Sequence, residues 1–448
     1  MKRNWFDKKV LILGLSKSGI SAAKYLNEQG ADCFVSESKP LDDKNTQTVK
    51  ELEAIGIRVE AGVHSDEFIE DAYVAITSPG IPPHAEIFKR LKEKNISVIS
   101  EVELAYLETG TPFIAITGTN GKTTTTTLVE HILSAQHIAP ACGNIGLPPT
   151  SLISKKNDYL VCEVSSFQLE MSPTFKPQIA CFLNFTPDHV DWHQGLENYF
   201  NAKAKMFANY KKPAFAVFNA LDEKVFEFAQ AYSDEKFFFG KEFESNCSYV
   251  KDGVVFFKSK KEEEIIKVDE IPLVGEHNLQ NVMCAIIVAK IVGISNEEIK
   301  ERIMSFKAVE HRIEYVATIG EKAFYNDSKA TNPEAAIFAL KSFNGKSMTL
   351  IAGGKDKMTD LTDFCKVINE TVKTVILIGE ATERFKENMI ANGFTNIILE
   401  STMESAIDKS IELDNQVVLL SPACSSFDMY DNYEQRGEAF KKYVLSKV

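Results

Sequence analysis

Phe113-Ile114-Ala115-Ile116-Thr117-Gly118-Thr119-Asn120-Gly121-Lys122-Thr123-Thr124 is the stretch that decides the fold. An apolar run of strand length enters a turn bracketed by two glycines and leaves it as Lys-Thr-Thr. Leu128, Val129, Ile132 and Leu133 follow at the spacing of one helix face. Strand, glycine turn and helix in that order form a phosphate cradle. The glycines let backbone N–H groups approach a polyphosphate, and the helix N-terminus adds partial positive charge. Lys122 reaches the terminal phosphates, and the Thr123 hydroxyl can ligate Mg²⁺. The strict spacing G-x-x-x-x-G-K-[ST] is not met, because its first glycine would fall on Ile116. This is a shorter G-x-x-G-K-T form. An ordinary glycine-rich turn would explain the glycines but not the Lys-Thr at the helix start. Alone, the loop predicts a nucleoside triphosphate and says nothing about the chemistry done with it.

The same alternation extends to both sides. Segments 10–15, 32–35, 74–76 and 96–99 read as strands, and 20–29, 46–55 and 86–93 have helical spacing. Strands alternating with helices predict a parallel sheet covered on both faces. Thr109-Gly110-Thr111-Pro112 reads as a linker. Beyond the loop, 159–164, 179–185 and 214–218 read as strands. Segment 237–257 is aromatic and β-branched around Asp252-Gly253, which predicts an antiparallel hairpin. The mixed-charge run 258–267 reads as a solvated face or loop. A helix over 279–292 turns Val282, Ala285, Ile286 and Ala289 inward. A third block opens with a hairpin at Gly320-Glu321 and continues with strands over 348–352, 374–378, 396–399 and 417–420. The prediction is an α/β protein of three consecutive domains: 1–100, 101–307 and 308–448.

Composition agrees. At roughly 100–200 residues per domain, 448 residues suggest two to four domains. Hydrophobic residues at 44% and charged residues at 25% are globular values, which excludes a disordered or disulfide-stapled chain. The net charge of −13 argues against nucleic acid or an anionic membrane as partner. An anionic substrate would need local cations and N–H groups working against the global field. The apolar run 282–292 is broken by Lys290 and is too short to span a bilayer. No A-x-A site follows the basic start, so the expectation is a soluble cytoplasmic protein. The eight cysteines are scattered without a C-x-x-C pair, which leaves them as small buried hydrophobes.

Polar residues gather at the predicted strand ends. Gly14-Leu-Ser-Lys-Ser18-Gly19 follows the first strand like a dinucleotide turn, but Ser16 replaces the middle glycine through which a pyrophosphate touches backbone. Glu37, Ser38 and Lys39 close the second strand, where a ribose or base could be read. Glu163, at the end of the strand after the phosphate loop, is placed for Mg²⁺. The next strand ends in Asp188-His189-Val-Asp191-Trp-His193, whose spacing matches no zinc signature. His189 reads as functional and His193 as a surface imidazole. Taken by itself, Lys203 reads as a solvated lysine. The third block carries His311-Arg312, then Asn326-Asp327-Ser328-Lys329-Ala-Thr331-Asn332, in which Thr331 or Asn332 could cap a helix. Gly353-Gly-Lys-Asp-Lys357 and Ser421-Pro-Ala-Cys-Ser-Ser426-Phe427-Asp428 end two further strands, and Tyr433 follows. Three polar strand ends in one domain point to a single site.

Together these segments, with His277-Asn278-Leu-Gln-Asn281, resemble the Mur ligase family over essentially the whole chain. The family makes amide bonds in peptidoglycan precursors at the expense of ATP. The Asn-Asp-Ser-Lys-Ala-Thr-Asn and Ser-Pro-Ala-Cys segments resemble its D-glutamate-adding member. The resemblance implies a Rossmann-like N-terminal domain for a UDP-sugar, a P-loop-type central ATPase domain and a dinucleotide-fold-like C-terminal domain for the amino acid. It implies ATP contacts from Gly118, Thr119, Asn120, Gly121, Lys122, Thr123, Thr124, Asn281, Arg312, Asp327 and Lys329. Two Mg²⁺ ions are implied, with Thr123, Glu163, His189 and a carbamylated Lys203 as ligands. Lys122, His189 and Lys203 would be catalytic. The substrate UDP-N-acetylmuramoyl-L-alanine would meet Ser18, Glu37, Ser38, Lys39, Gly80 and Asn144. D-Glutamate would meet Thr331, Lys357, Ser426, Phe427 and Tyr433. A monomer is expected. Lys39 stands where the family often has arginine, and Tyr433 where it often has Phe. A GTPase would need a base-reading Asn-Lys-x-Asp, and the nearest segment, Asn219-Ala-Leu-Asp222, lacks the lysine. A nicotinamide enzyme would leave the phosphate loop idle. The runner-up is another Mur ligase, or a folylpolyglutamate synthase, with a different amino acid.

Overall fold

A computed structural model describes residues 3–448 except 42, 83, 189, 209–212, 308, 309 and 344; the side chains of 43, 44, 190 and 191 are likewise outside the description. The chain forms three sheets. The first contains β1 (Lys9–Leu13), β2 (Asp32–Glu37), β3 (Arg58–Ala61), β4 (Val74–Thr77) and β5 (Val98–Ser100), all parallel, in the order β3-β2-β1-β4-β5. Val10, Leu11, Ile12 and Leu13 are fully buried. Helices cover both faces, so the strand reads as a continuous apolar run. Strand order reverses between β1 and β4, and the carboxyl ends there form the crevice where such sheets bind ligands. The edge strand β3 was not foreseen, because Arg58-Val-Glu-Ala is short, charged and only half buried.

The second sheet has nine strands: β6 (Phe113–Thr117), β7 (Ala141–Gly143), β8 (Leu160–Glu163), β9 (Ile179–Phe182), β10 (Phe215–Asn219), β11 (Lys236–Phe239), β12 (Cys247–Lys251), β13 (Val254–Lys258) and β14 (Glu262–Lys267), in the order β14-β13-β12-β11-β10-β9-β6-β8-β7. β6 lies between β8 and β9, so the phosphate loop, Glu163 and the 183–188 segment leave one edge. The hairpin turns at Asp252-Gly253 as expected. The run 258–267 corrects the reading of a loop: Glu262–Lys267 is an edge strand, antiparallel to β13. Its buried residues, Ile265 and Ile266, are adjacent, so no alternation shows in the sequence. A register shift at Val255/Phe256 in β13 lets both turn inward.

The third sheet contains β15 (Glu314–Ile319), β16 (Lys322–Asn326), β17 (Met348–Gly353), β18 (Thr374–Ile378), β19 (Ile397–Leu399) and β20 (Val417–Leu420), in the order β15-β16-β20-β17-β18-β19. Only the β15–β16 hairpin, which turns at Gly320, is antiparallel. By contacts the chain divides into two compact units, Met1–Lys267 with Asn281–Ile303, and Val268–Gln280 with Met304–Val448. The first unit carries the first two sheets and the second carries the third.

Within the first unit, a short helix after β5, Glu101–Glu108, joins the two sheets. Ser100 caps it and meets Ser172 at 2.7 Å, and Glu101 accepts from both the N–H and the hydroxyl of Thr150, which also meets Ser21. All eight cysteines are buried and free. No helix among the described residues is long and apolar enough to cross a membrane.

Candidate active site

The phosphate loop is held from below by a residue that sequence reasoning missed. The Asn184 side chain accepts from the N–H groups of Thr119 and Asn120 at 3.0 and 2.8 Å, and donates to the Asn120 carbonyl at 3.0 Å. Its only signal in sequence was its place at a polar strand end. Gly121 stands at φ +82° as the residue before helix Lys122–Leu133, a left-handed conformation that favours glycine. A Cβ there would also strike the side chain of Asn281, which is buried against the loop. Thr124 is buried in the first helical turn. The Lys122 ammonium folds back onto the loop carbonyls of Gly118 and Thr119 at 2.9 and 2.7 Å.

Glu163 sits beside the loop, 2% exposed. The Thr123 hydroxyl donates to one carboxylate oxygen at 2.8 Å and the Asn144 amide to the other at 2.9 Å. A buried carboxylate with a hydroxyl beside it is an oxygen-only donor set, which suits a small hard cation such as Mg²⁺. The residues therefore fit the implied metal. His189 lies outside the described residues.

Lys203 corrects the reading of a solvated side chain. It is 1% exposed, donates to the Gly118 carbonyl at 2.8 Å and lies over the Tyr199 ring. Helix Leu196–Ala208 buries Tyr199, Ala202, Lys203, Met206 and Phe207, so the lysine shares its apolar face. That periodicity was the available signal. Burial, then the neighbouring charge of Lys122, hold its pKa well below the ordinary lysine value, against the pull of Asp188 and Glu163. His193 is also corrected. It is 6% exposed, meets Ser166 at 2.9 Å and stacks on Phe167, because the aromatic residues around it roof it over.

At the crevice of the first sheet, Glu37 accepts from the N–H groups of Leu15 and Lys39, both at 3.0 Å, and from Ser38 at 3.3 Å. Burial alone would raise its pKa, but these donors outweigh burial and lower it. Ser16, the residue that breaks the glycine fingerprint, caps helix Lys17–Glu28 and meets both Ser18 and Ser78. Gly80 lies open in the loop after β4.

In the second unit the carboxyl ends of β16, β17 and β20 gather the third-block residues. Asp327 is buried and accepts from the Ser421 hydroxyl at 2.7 Å. Burial pushes its carboxyl up to about 7 despite Ser421 and Arg312. Arg436, which sequence reasoning did not single out, lies in the helix Tyr433–Leu445 and is 2% exposed. It donates to the Ser328 hydroxyl and carbonyl and to the carbonyls of Cys424 and Ser425, tying the two loops together. Ser426 is buried, and the Lys329 ammonium lies over the Tyr433 ring. Asn332, not Thr331, caps the helix Pro333–Lys341. Lys357 and Phe427 are exposed on the loops after β17 and β20.

Known proteins resemble this chain along its full length. The Mur ligase MurD-like N-terminal domain matches residues 8–100, the Mur ligase middle domain 116–289, and the Mur ligase glutamate ligase domain 311–424. The UDP-N-acetylmuramoylalanine–D-glutamate ligase of Caldanaerobacter subterraneus subsp. tengcongensis is 38% identical over 447 residues, covering 98% of each chain. That of Geobacillus kaustophilus is 38% identical over 445 residues, covering 98% of this chain and 97% of the relative. Among solved structures, the UDP-N-acetylmuramate-alanine ligase of Thermotoga maritima aligns with a TM-score of 0.60 at 18% identity, over 98% of this chain and all of the other. A pseudomurein peptide ligase type C from Methanothermus fervidus gives 0.58 at 16% over the same shares. These two likenesses speak for the three-domain fold alone.

Proposed function

This chain belongs to the Mur ligase family, and from that premise we infer that it joins D-glutamate to UDP-N-acetylmuramoyl-L-alanine in peptidoglycan precursor synthesis. It is an ATP-dependent, ADP-forming amide ligase. The observation that carries the phosphate chemistry is the convergence of Lys122, Thr123 with Glu163, and Lys203 on the Gly118–Thr123 turn.

The reaction divides into two steps. The alanyl carboxylate attacks the γ-phosphorus of ATP, the bond to the β-phosphate oxygen breaks, and ADP leaves an acyl phosphate. The amine of D-glutamate, in its neutral form, then attacks the acyl carbon, and the tetrahedral intermediate expels phosphate, which takes up the surplus amine proton. Lys122 leaves its loop carbonyls to meet the terminal phosphates, and the N–H groups of the turn hold the chain of phosphates in line. We assign the ATP contacts to Gly118–Thr124, Asn281, Arg312, Asp327 and Lys329. The UDP-sugar is assigned to Ser18, Glu37, Ser38, Lys39, Gly80 and Asn144, and D-glutamate to Thr331, Lys357, Ser426, Phe427 and Tyr433.

Bound Mg²⁺ supplies positive charge that offsets repulsion between the two reacting anions. We propose two ions, with Thr123, Glu163, His189 and a carbamylated Lys203 as the ligands. The supporting argument for the carbamate is electrostatic. A lysine with a lowered pKa offers a neutral amine to CO₂; the N–C bond forms and a proton is released. The product places an anion beside Lys122 where the amine had stood.

The test is phosphate release from ATP with a panel of amino acids, with and without UDP-N-acetylmuramoyl-L-alanine. Release is expected only when D-glutamate and the UDP-linked substrate are both present. Release that follows L-lysine or meso-diaminopimelate instead would reject the assignment.

A further inference from the structure

The turn carrying Arg312 is strained. His311 stands at φ +63° and Ile313 at φ +45°, on either side of the arginine. A β-branched residue at positive φ is a genuine outlier, and such conformations persist only where the surroundings over-determine them. Here they do. The His311 N–H donates to Glu314 at 2.9 Å, and the His311 carbonyl accepts from the Lys329 N–H at 3.0 Å. The Ile313 N–H donates to Asp327 at 3.3 Å.

Asn326 is at the centre of this arrangement. It is fully buried at the end of β16. Its amide donates to His311 Nδ1 at 2.9 Å and to Glu314 Oε2 at 3.0 Å, and its oxygen accepts from the Ser328 N–H at 3.1 Å. An amide nitrogen only donates, so Nδ1 must accept and the ring proton sits on Nε2. That nitrogen faces Glu438 at 3.8 Å. Gly437 lies flat on the same ring, and a Cβ there would run into Nδ1. Lys441 closes the rim, at 3.0–3.1 Å from Glu310, Glu314 and Glu438. The acidic cluster is thereby filled by the chain's own ammonium group. Among the described residues the buried Arg312 Nε has no hydrogen-bond partner, and it lies in the field of Asp327. A guanidinium with a buried donor to spare is suited to an anionic ligand.

We propose that Asn326 is a positioning residue for the nucleotide: through His311 it locks the left-handed turn that presents Arg312. Asn326, at the end of β16, ties the Ser328 N–H just after it to two groups 12 and 15 residues earlier, Glu314 and His311. The inference rests on the reading of Arg312 as an ATP contact, and the experiment separates the two.

Steady-state kinetics are measured with each substrate varied, for Asn326→Ala, Asn326→Asp, Gly437→Ala, Arg312→Ala and the Asn326→Ala/Arg312→Ala pair. Asn326→Asp keeps the acceptor for Ser328 and loses the donor to His311, which serves if Asn326→Ala does not fold. The Asn326 and Gly437 variants are expected to raise KM for ATP about tenfold while KM for D-glutamate and the UDP-linked substrate stays within about twofold. Arg312→Ala is expected to do the same, and the pair to be no worse than Arg312→Ala alone. Unchanged ATP KM in the Asn326 and Gly437 variants, with Arg312→Ala impaired, would overturn the positioning role and leave the ATP contact standing. So would losses that add in the pair, or equal losses for all three substrates. Unchanged ATP KM in Arg312→Ala would bring down the ATP contact and the positioning role with it.

Discussion

Lys203 shows how one side chain changes meaning with its surroundings. On a bare helix it is a solvated cation; here it is enclosed, faces the Gly118 carbonyl and shares its site with Lys122. Burial, and then the neighbouring ammonium of Lys122, disfavour its charged form and lower its pKa. A lowered pKa favours the neutral amine that reacts with CO₂, and the proposed carbamate would set an anion beside Lys122. Lys203→Ala is therefore expected to lose about 100-fold in kcat, on the scale of removing a metal-site partner. Added acetate or formate should return part of that activity, since a small carboxylate fits the vacated space. Full activity in the plain variant, measured by phosphate release, would show that no carbamate is needed.

At the scale of elements, the helix Glu101–Glu108 carries a second displaced equilibrium. Glu101 is buried where the first two sheets meet, and one of its oxygens has no hydrogen-bond partner among the described residues. Burial lifts its pKa from 4.5 to about 7, against the two donors of Thr150. Between those values the folded chain keeps a proton that the unfolded chain has released. The stabilisation is complete below pH 4.5 and fades as pH rises through 7, by roughly 3 kcal/mol in all. Glu101→Gln is expected to flatten urea-melt stability between pH 5 and 8 by about that amount. Part of the slope should persist, because Asp327 is raised to about 7 in the same direction. An unchanged slope would mean that Glu101 is charged in the folded protein. This helix, like the edge strands β3 and β14, was not legible in the sequence. Its Glu-Val-Glu-Leu-Ala-Tyr-Leu-Glu pattern buries Glu101, Glu103 and Glu108 along with the apolar residues, so no polar face stands out. Strands such as Phe113–Thr117, Thr374–Ile378 and Val417–Leu420 were legible because burial on both faces leaves a continuous apolar run. Of the site, the glycine turn and Glu163 carry their chemistry in local order. Asn184, Arg436 and Asn326 do not, because each acts on loops brought to it by a sheet.

For the molecule as a whole, the balance is between a global and a local field. The chain carries −13 net charge, yet both substrates of the proposed reaction, ATP and a UDP-linked carboxylate, are anions. The cations proposed to meet them, Lys122 and Lys39, act over a few ångströms; the surplus of acids acts over the whole surface. Salt separates the two. The screening length is about 30 Å at 0.01 M and about 8 Å at 0.15 M, so added salt removes the distant repulsion before it weakens contacts inside the loop. Raising KCl across that range at fixed free Mg²⁺ is therefore expected to increase kcat/KM for UDP-N-acetylmuramoyl-L-alanine by about twofold to threefold. kcat should change less, because bound substrate no longer feels the approach field. A steady fall in kcat/KM over the same range would mean that the crevice of the first sheet projects its own positive field far enough to steer the substrate in. The acidic surface would then matter for solubility and not for capture.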